Sequence, residues 1–305
     1  MAEAKILRIY LDPIPLAQVE AGNFNFFDQV RAAFQGAGFR VEFRKNSDVQ
    51  RLKSASRRGY SLFLMDEPFH PKALTVRKAY YYPFWRIENT AKRWEFQVAK
   101  APFDAAEVAP ERAKLWADNW RKWLFKGMAE QPEKEGFVYV PLQGRLLNHR
   151  SFQTMSPIEM LRSTLAHDPA RRVVAGLHPG ETYTSKERAA LDEVVKDNAR
   201  LTLQSGGMEA ALRGCDYVVT QNSTAALSGF FFQKPAVLFA KADFHHIAAN
   251  VADLGEKAAF ETVHTMGPAY DQYLYWFIQK MAIKADEPGA QQAILDTVRA
   301  RGWVV

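Results

Sequence analysis

The 305-residue sequence contains one cysteine, Cys215. A single thiol excludes an internal disulfide, a Cys-x-x-Cys pair and a Cys/His metal cluster, and a reducing compartment is the expectation. Long apolar runs are missing as well. The most apolar stretch, residues 225–240, is interrupted by Gly229 and by Gln233-Lys234-Pro235 and does not read as a membrane span. Glu3 and Lys5 precede an apolar run of only Ile6 to Leu11, which Asp12-Pro13 breaks, so no secretion signal is read there. Repeats and low-complexity tracts are also lacking. These absences predict a cytoplasmic protein. With 48% hydrophobic and 24% charged residues, the chain has material for two cores.

Acidic residues fall short of basic ones only in the first part. Residues 1–135 hold 23 Lys and Arg against 17 Asp and Glu, whereas residues 136–305 hold 17 against 17, so the whole formal charge of +6 lies before residue 136. Such a surplus points to an anionic partner: phosphate, an acidic sugar or an anionic membrane surface. Nucleic acid is not among the expected partners. Five of the seven tryptophans fall in residues 76–126, interleaved with Tyr80-Tyr81-Tyr82, Lys and Arg. Trp116, Trp120 and Trp123 share one helical face, flanked by Lys114, Arg121, Lys122 and Lys126. That stripe reads either as core or as an interfacial face that rests on headgroups or receives a lipid-linked acceptor.

The pattern of elements is α/β. A strand over residues 5–11 ends in a Pro-rich loop at Asp12, a helix over 26–37 leads to a strand over 39–43, and a third strand over 60–65 ends in Asp66-Glu67. Ligand crevices form at the carboxyl ends of parallel strands, which makes Asp12, Asp66 and Glu67 site candidates. The polar segment 126–136 reads as a linker. Beyond it strands are expected at 137–142, 172–177, 200–203, 217–220 and 236–239, separated by helices, which gives a second parallel sheet covered on both faces. The expected domains are 1–130 and 137–269, both Rossmann-like, with helices over 270–284 and 290–301 packing back across them.

Two strand ends in the second half carry chemistry. The strand 217–220 delivers Asn222, Ser223 and Thr224 to the start of a helix, where free N–H groups and two hydroxyls suit a phosphate; the same residues are also ordinary helix caps. The strand 172–177 ends in His178-Pro179-Gly180, followed by Glu181 and Tyr183. A histidine there can donate to a phosphate oxygen. Both motifs are expected to face one crevice from adjacent strand ends.

Together with Phe137-Val-Tyr-Val-Pro-Leu-Gln143 and Lys234-Pro235, these motifs resemble the capsule polysaccharide biosynthesis family, which includes the Kdo transferases of capsule assembly. The resemblance covers residues 137–245. It implies a GT-B-like fold and a metal-independent glycosyltransferase that uses a nucleotide-activated sugar, CMP-linked in that family. It further implies that His178 and Pro179 hold the donor's phosphate or base and that Asn222, Ser223 and Thr224 grip the phosphate, with Gln143 and Glu181 beside them. Four residues beyond Gln143, where the family has a catalytic aspartate, stands Leu147, and Gly176 stands where members place a lysine. A non-catalytic sugar-nucleotide-binding assembly protein and a sugar-nucleotide epimerase are therefore the alternatives.

Transfer requires a base for the acceptor hydroxyl. Asp66 and Glu67 are the expected catalytic residues, with Asp12, His70 and His149 as further candidates. The acceptor is expected to be an anionic glycan or glycolipid held by the basic first half at the inner-membrane surface. No cofactor and no metal are expected: His245-His246 lack a third ligand, and neighbouring histidines on a helix point apart. Cys215 is expected to be packing.

Overall fold

The computed structural model describes residues 4–305, so Glu3 lies outside the described residues. The chain forms two compact units, one comprising the residues through Ala101 together with Phe277–Val305, the other Pro102–Trp276. The boundary expected at residues 126–136 is thus displaced, and the terminal helices are shared out rather than forming a separate segment.

In the first unit, β1 (Ile6–Leu11), α1 (Pro13–Glu20), α2 (Asn25–Gly36), β2 (Arg40–Lys45), α3 (Asp48–Ser54), β3 (Tyr60–Leu64), β4 (Ala73–Lys78), β5 (Phe84–Glu88) and α4 (Gln97–Lys100) follow one another. The returning chain supplies β12 (Ile283–Lys284) and α13 (Ala290–Ala300). The sheet order is β12-β5-β4-β3-β1-β2, with β1 to β4 parallel and β5 antiparallel to both neighbours. Phe26, Phe27, Val30, Ala33 and Phe34 recur at helical spacing and bury one face of α2 against this sheet, where Ile294, Val298 and Trp303 join the same core. The expected loop after β1 is instead α1. Pro13 and Pro15 sit in its first turn, where the N–H that proline lacks has no intrahelical acceptor anyway.

In the second unit, α5 (Pro110–Phe125), β6 (Phe137–Leu142), α6 (Pro157–His167), β7 (Arg172–Leu177), α7 (Ser185–Asp197), β8 (Leu201–Ser205) and α8 (Met208–Gly214) come first. They are followed by β9 (Tyr217–Thr220), α9 (Thr224–Phe231), β10 (Ala236–Leu238), β11 (Ala249–Asn250), α10 (Val251–Leu254), α11 (Glu256–Val263) and α12 (Tyr270–Leu274). All pairs in the sheet β11-β10-β9-β6-β7-β8 are parallel. Both faces are covered, so β6 is buried at all six positions and reads as a continuous apolar run. The helix α5 belongs here because the buried Arg121 ties it down: Nε donates to Phe231 O at 2.7 Å, Nη1 to Asp118 at 2.9 Å and Nη2 to Asp271. Trp116 packs on Trp120, Phe231 and Tyr275, while Trp123 is 63% exposed, so the tryptophan stripe is divided between packing and solvent. The expected helix over 270–284 holds only to Lys280: α12 passes into a π-helical turn, Tyr275–Lys280, before β12.

Candidate functional site

The order of strands in the second sheet fixes where a ligand crevice opens. From β6 the chain winds through α6 and α7 to β7 and β8, and from β9 it winds the other way through α9 to β10 and β11. The loops leaving β6 and β9 therefore diverge, and the gap between their carboxyl ends is the topological switch point. Pro141 widens it. The β6–β9 ladder includes only Val138 and Tyr139 of β6, and Pro141 has no N–H with which to extend it. Its carbonyl accepts instead from the Thr220 hydroxyl at 3.2 Å.

Gln143 leaves β6 at this point and Gln221 leaves β9. Each has a buried side-chain oxygen without a hydrogen-bond partner, although Gln221 donates from Nε2 to Met155 O at 2.9 Å. Two unmatched acceptors at one strand-end gap fit ligand donors such as sugar hydroxyls or a base amino group. Gln221 was not singled out from the sequence, where its only signal is its place at a strand end. Ser223 caps α9, accepting from Ala225 N–H at 3.2 Å, and Asn222 donates to Lys241 O at 3.2 Å. Thr224 is exposed, and its hydroxyl makes no hydrogen bond among the described residues. The Thr224 N–H and hydroxyl thus stand at the start of α9 beside the gap, while the Ala225 and Ala226 N–H groups already donate to Ser223.

His178 follows β7 and is exposed. Its backbone N–H donates to the Tyr183 hydroxyl at 3.0 Å, and its Nδ1 accepts from Gly180 N–H at 3.1 Å. That acceptance fixes the neutral ring's proton on Nε2, which is then a donor for a ligand oxygen. His178 and the Asn222 turn share the carboxyl edge but not neighbouring strands. One strand, β6, lies between them, and two interstrand spacings put the strand ends about 10 Å apart. The expectation of adjacent ends is corrected accordingly. Glu181 reaches from the same turn over the β6 loop: a β-carbon on Gly144 would lie 2.2 Å from its carboxylate. Pro179 is exposed between these two side chains.

At the first sheet's own switch point, between β1 and β3, stand Asp12 and Asp66. Asn46 donates to both, at 2.9 Å each, and Arg51 pairs with Asp66 at 3.0 Å. Glu67 turns away and accepts from Ala91 N–H at 2.7 Å and Thr90 at 3.2 Å, holding a loop. Asp66 and Glu67 are thus engaged in structural contacts. His70 meets Ser54 at 3.0 Å through Nε2, and burial lowers its pKa, with Lys72 adding to the effect.

The histidines 245 and 246 do not point apart. They lie in a 3-10 turn and stack at 4.3 Å, with Nδ1 of His245 on Ala242 O and that of His246 on the Tyr273 hydroxyl. Among the described residues no group of three or more His, Cys, Asp or Glu side chains is placed to hold a metal ion. Cys215 is fully buried and its thiol is pushed up to about 12 by burial. No described helix is long and apolar enough to cross a membrane.

No family model matches the chain, and no curated protein matches it. Among solved structures it is similar to the Thermosulfurimonas dismutans KpsC β-Kdo 2,7-transferase, at 13% identity over 95% of this chain and 99% of that one, with a TM-score of 0.57. The β-Kdo 2,4-transferase of the same organism's KpsC matches at 10% identity over 90% of each chain, with a TM-score of 0.45. Staphylococcus aureus MnaA with UDP matches at 10% identity over 97% of this chain and 96% of that one, with a TM-score of 0.36. The first of these shows the fold: both units of the chain have the Rossmann-like topology of GT-B proteins.

Proposed function

We propose that the chain is a metal-independent glycosyltransferase of surface polysaccharide synthesis whose nucleotide-activated sugar binds at the carboxyl edge of the second sheet. The observation that carries this reading is the set of groups along the carboxyl edge around the β6/β9 switch point: the start of α9 with Thr224 beside the capping Ser223, the buried unmatched oxygens of Gln143 and Gln221, and, at the end of the neighbouring β7, the Nε2 donor of His178. The α9 terminus suits the phosphate, and the glutamines suit hydroxyl or amino donors of the sugar or base. One solved structure of similar fold is a β-Kdo 2,7-transferase, which supports sugar transfer as the class of reaction. A CMP-linked donor is the finer expectation, with an anionic glycan or glycolipid as acceptor.

Glu181 takes the acceptor's proton in this reading. Of the carboxylates at the two carboxyl edges, Asp12, Asp66 and Glu67 accept hydrogen bonds, whereas the Glu181 side chain makes none among the described residues. It leans over the β6 loop, whose exposed Leu147 offers no acid. Leu147 also favours the non-catalytic reading, which is separated by whether nucleotide is released only when acceptor is present.

The donor site is tested by calorimetric titration of CMP, UDP and GDP into the wild type and the Ser223→Ala/Thr224→Ala variant. One nucleotide binds the wild type, and the variant loses about 1–3 kcal/mol of that affinity. Equal affinity in a folded variant refutes the assignment.

A further inference from the structure

Three loops at the carboxyl edge of the second sheet are knitted together beside the start of α9. Where the β6 loop returns, Gln153 makes an antiparallel bridge to Ala240 just beyond β10. On either side of it, Lys241 N–H donates to Phe152 O at 2.9 Å and Thr154 N–H to Phe239 O at 2.8 Å. The side-chain amides of Gln221 and Asn222 tie the turn after β9 into the same seam, donating to Met155 O at 2.9 Å and Lys241 O at 3.2 Å. Arg150 opens the turn that leads into the bridge: its carbonyl accepts from Gln153 N–H at 2.9 Å, and its N–H donates to Oε1 of the buried Gln153 at 2.7 Å. The seam thus carries Arg150 and Lys241 on backbone that is fastened to the Asn222 turn.

Neither cation has a counterion. Arg150 is half-buried and Lys241 exposed, and neither side chain makes a hydrogen bond or an ion pair among the described residues. Acids are not scarce, since the second unit holds 21 Asp and Glu against 19 Lys and Arg. In the loops of the seam, residues 143–156, 221–223 and 239–248, the one acid is Asp243, which is fully buried. Like charges kept together without an acid favour an anion from outside the chain.

We propose that Arg150 and Lys241 are catalytic residues that take up the charge developing on the leaving nucleotide, an inference that rests on the donor-site reading. In the transfer, the bond from the anomeric carbon to the phosphate oxygen breaks and its electron pair stays on that oxygen. The acceptor oxygen bonds to the anomeric carbon and passes its proton to Glu181. The nucleotide phosphate therefore leaves with one more negative charge than it had as an ester. Cations held in place beforehand interact more strongly with the departing phosphate than with the bound ester, and that difference lowers the barrier. The neutral groups at the start of α9 discriminate less between the two.

Calorimetric titration of the full chain at about pH 8 compares product with ester and needs no acceptor. One pair of probes is CMP and its 5′-phosphate methyl ester, the other UDP and UDP-glucose. Only the first member of each pair carries the extra phosphate charge, whose pKa is about 6. In the pair that binds, the wild type holds the more charged member about tenfold more tightly, the scale of two partly exposed charged contacts. Arg150→Gln and Lys241→Gln each reduce that ratio to about threefold and together abolish it, while the affinity for the ester stays within about twofold. Arg150→Lys keeps the ratio. Neither side chain has a partner to lose, and melting curves confirm folding. Ser223→Ala/Thr224→Ala weakens both members of a pair and leaves their ratio, so the donor site and the two cations read out separately. Equal affinities in the wild type, or a ratio undiminished in the folded Arg150→Gln/Lys241→Gln variant, overturn the proposal and leave the donor site standing. Binding of neither pair overturns both.

Discussion

At Gly176 a β-carbon would lie 2.7 Å from the Tyr139 hydroxyl and 2.9 Å from its ring, distances at which one side chain must move. Tyr139 is 4% exposed on the central strand and has little room to yield. A lysine at this position, as in the family the sequence resembles, would require a smaller residue at 139. Gly176→Ala is expected to destabilise the protein by about 1–3 kcal/mol through overpacking. Tyr139→Val in the same chain is expected to recover part of the loss. Urea unfolding of the two single variants and the double variant measures the coupling, and simple additivity refutes the account.

The residue-scale prediction for chemistry concerns Glu181. Glu181 is exposed and its side chain makes no hydrogen bond among the described residues, so Glu181→Gln is expected to leave the fold intact. It is expected to lower kcat about 100-fold or more while nucleotide affinity stays within about twofold. Turnover equal to wild type assigns the base to another group.

At the scale of elements, α7 is held by a carboxylate that also fastens the loop after β6. Glu187 accepts from Thr184 N–H and hydroxyl, both at 2.8 Å, and from Leu146 N–H at 2.6 Å, so it closes a capping box and fastens the loop after β6. The Thr184 backbone hydrogen bond, ahead of its hydroxyl and the Leu146 N–H, holds the carboxyl pKa below its usual 4.5. A lowered folded-state value means that this stabilisation is present above the unfolded value and is lost as pH falls through the folded one. Glu187→Gln is expected to cost about 1–2 kcal/mol at neutral pH, with the two melting temperatures converging in acid. Parallel melting curves down the acid range contradict the assignment.

Elements also show what was legible. β6, β7 and β9 are readable because each is a short, mostly apolar run, and His178 and the 222–224 turn lie just beyond the carboxyl ends of β7 and β9 as expected. The pair β4 and β5 is not. Arg86 and Glu88 are buried in β5, where charged residues mislead a local reading. Their partners come from the far end of the chain: Arg86 donates to Phe277 O at 2.6 Å, and Glu88 pairs with Arg301 at 3.1 Å. The switch point itself depends on strand order, so Gln221 stayed unmarked until the sheet was seen.

At the scale of the whole molecule, the division into units regroups the charge. The first unit carries 21 Lys and Arg against 13 Asp and Glu, the second 19 against 21, and Trp116, Trp120 and Trp123 belong to the second. Basic surplus and tryptophan stripe are thus separate features. Protein sedimented with anionic vesicles at low salt is expected to be released as salt rises, since each exposed basic residue contributes about 1 kcal/mol within a Debye length. Trp123→Ala is expected to leave that binding unchanged. Equal sedimentation with neutral vesicles removes the electrostatic account.

The first unit is also interrupted in sequence, because β12 closes its sheet and α13 covers α2 only after the second unit has been traversed. On a ribosome the order of completion is therefore inverted. The second unit can collapse as soon as it emerges, while the first waits with the edge of β5 and the apolar stripe of α2 uncovered until residues 277–305 follow. Over that interval the nascent chain, rather than the finished protein, is the species most open to strand-edge pairing, and a chaperone that shields residues 84–88 would act during synthesis and have no target afterwards.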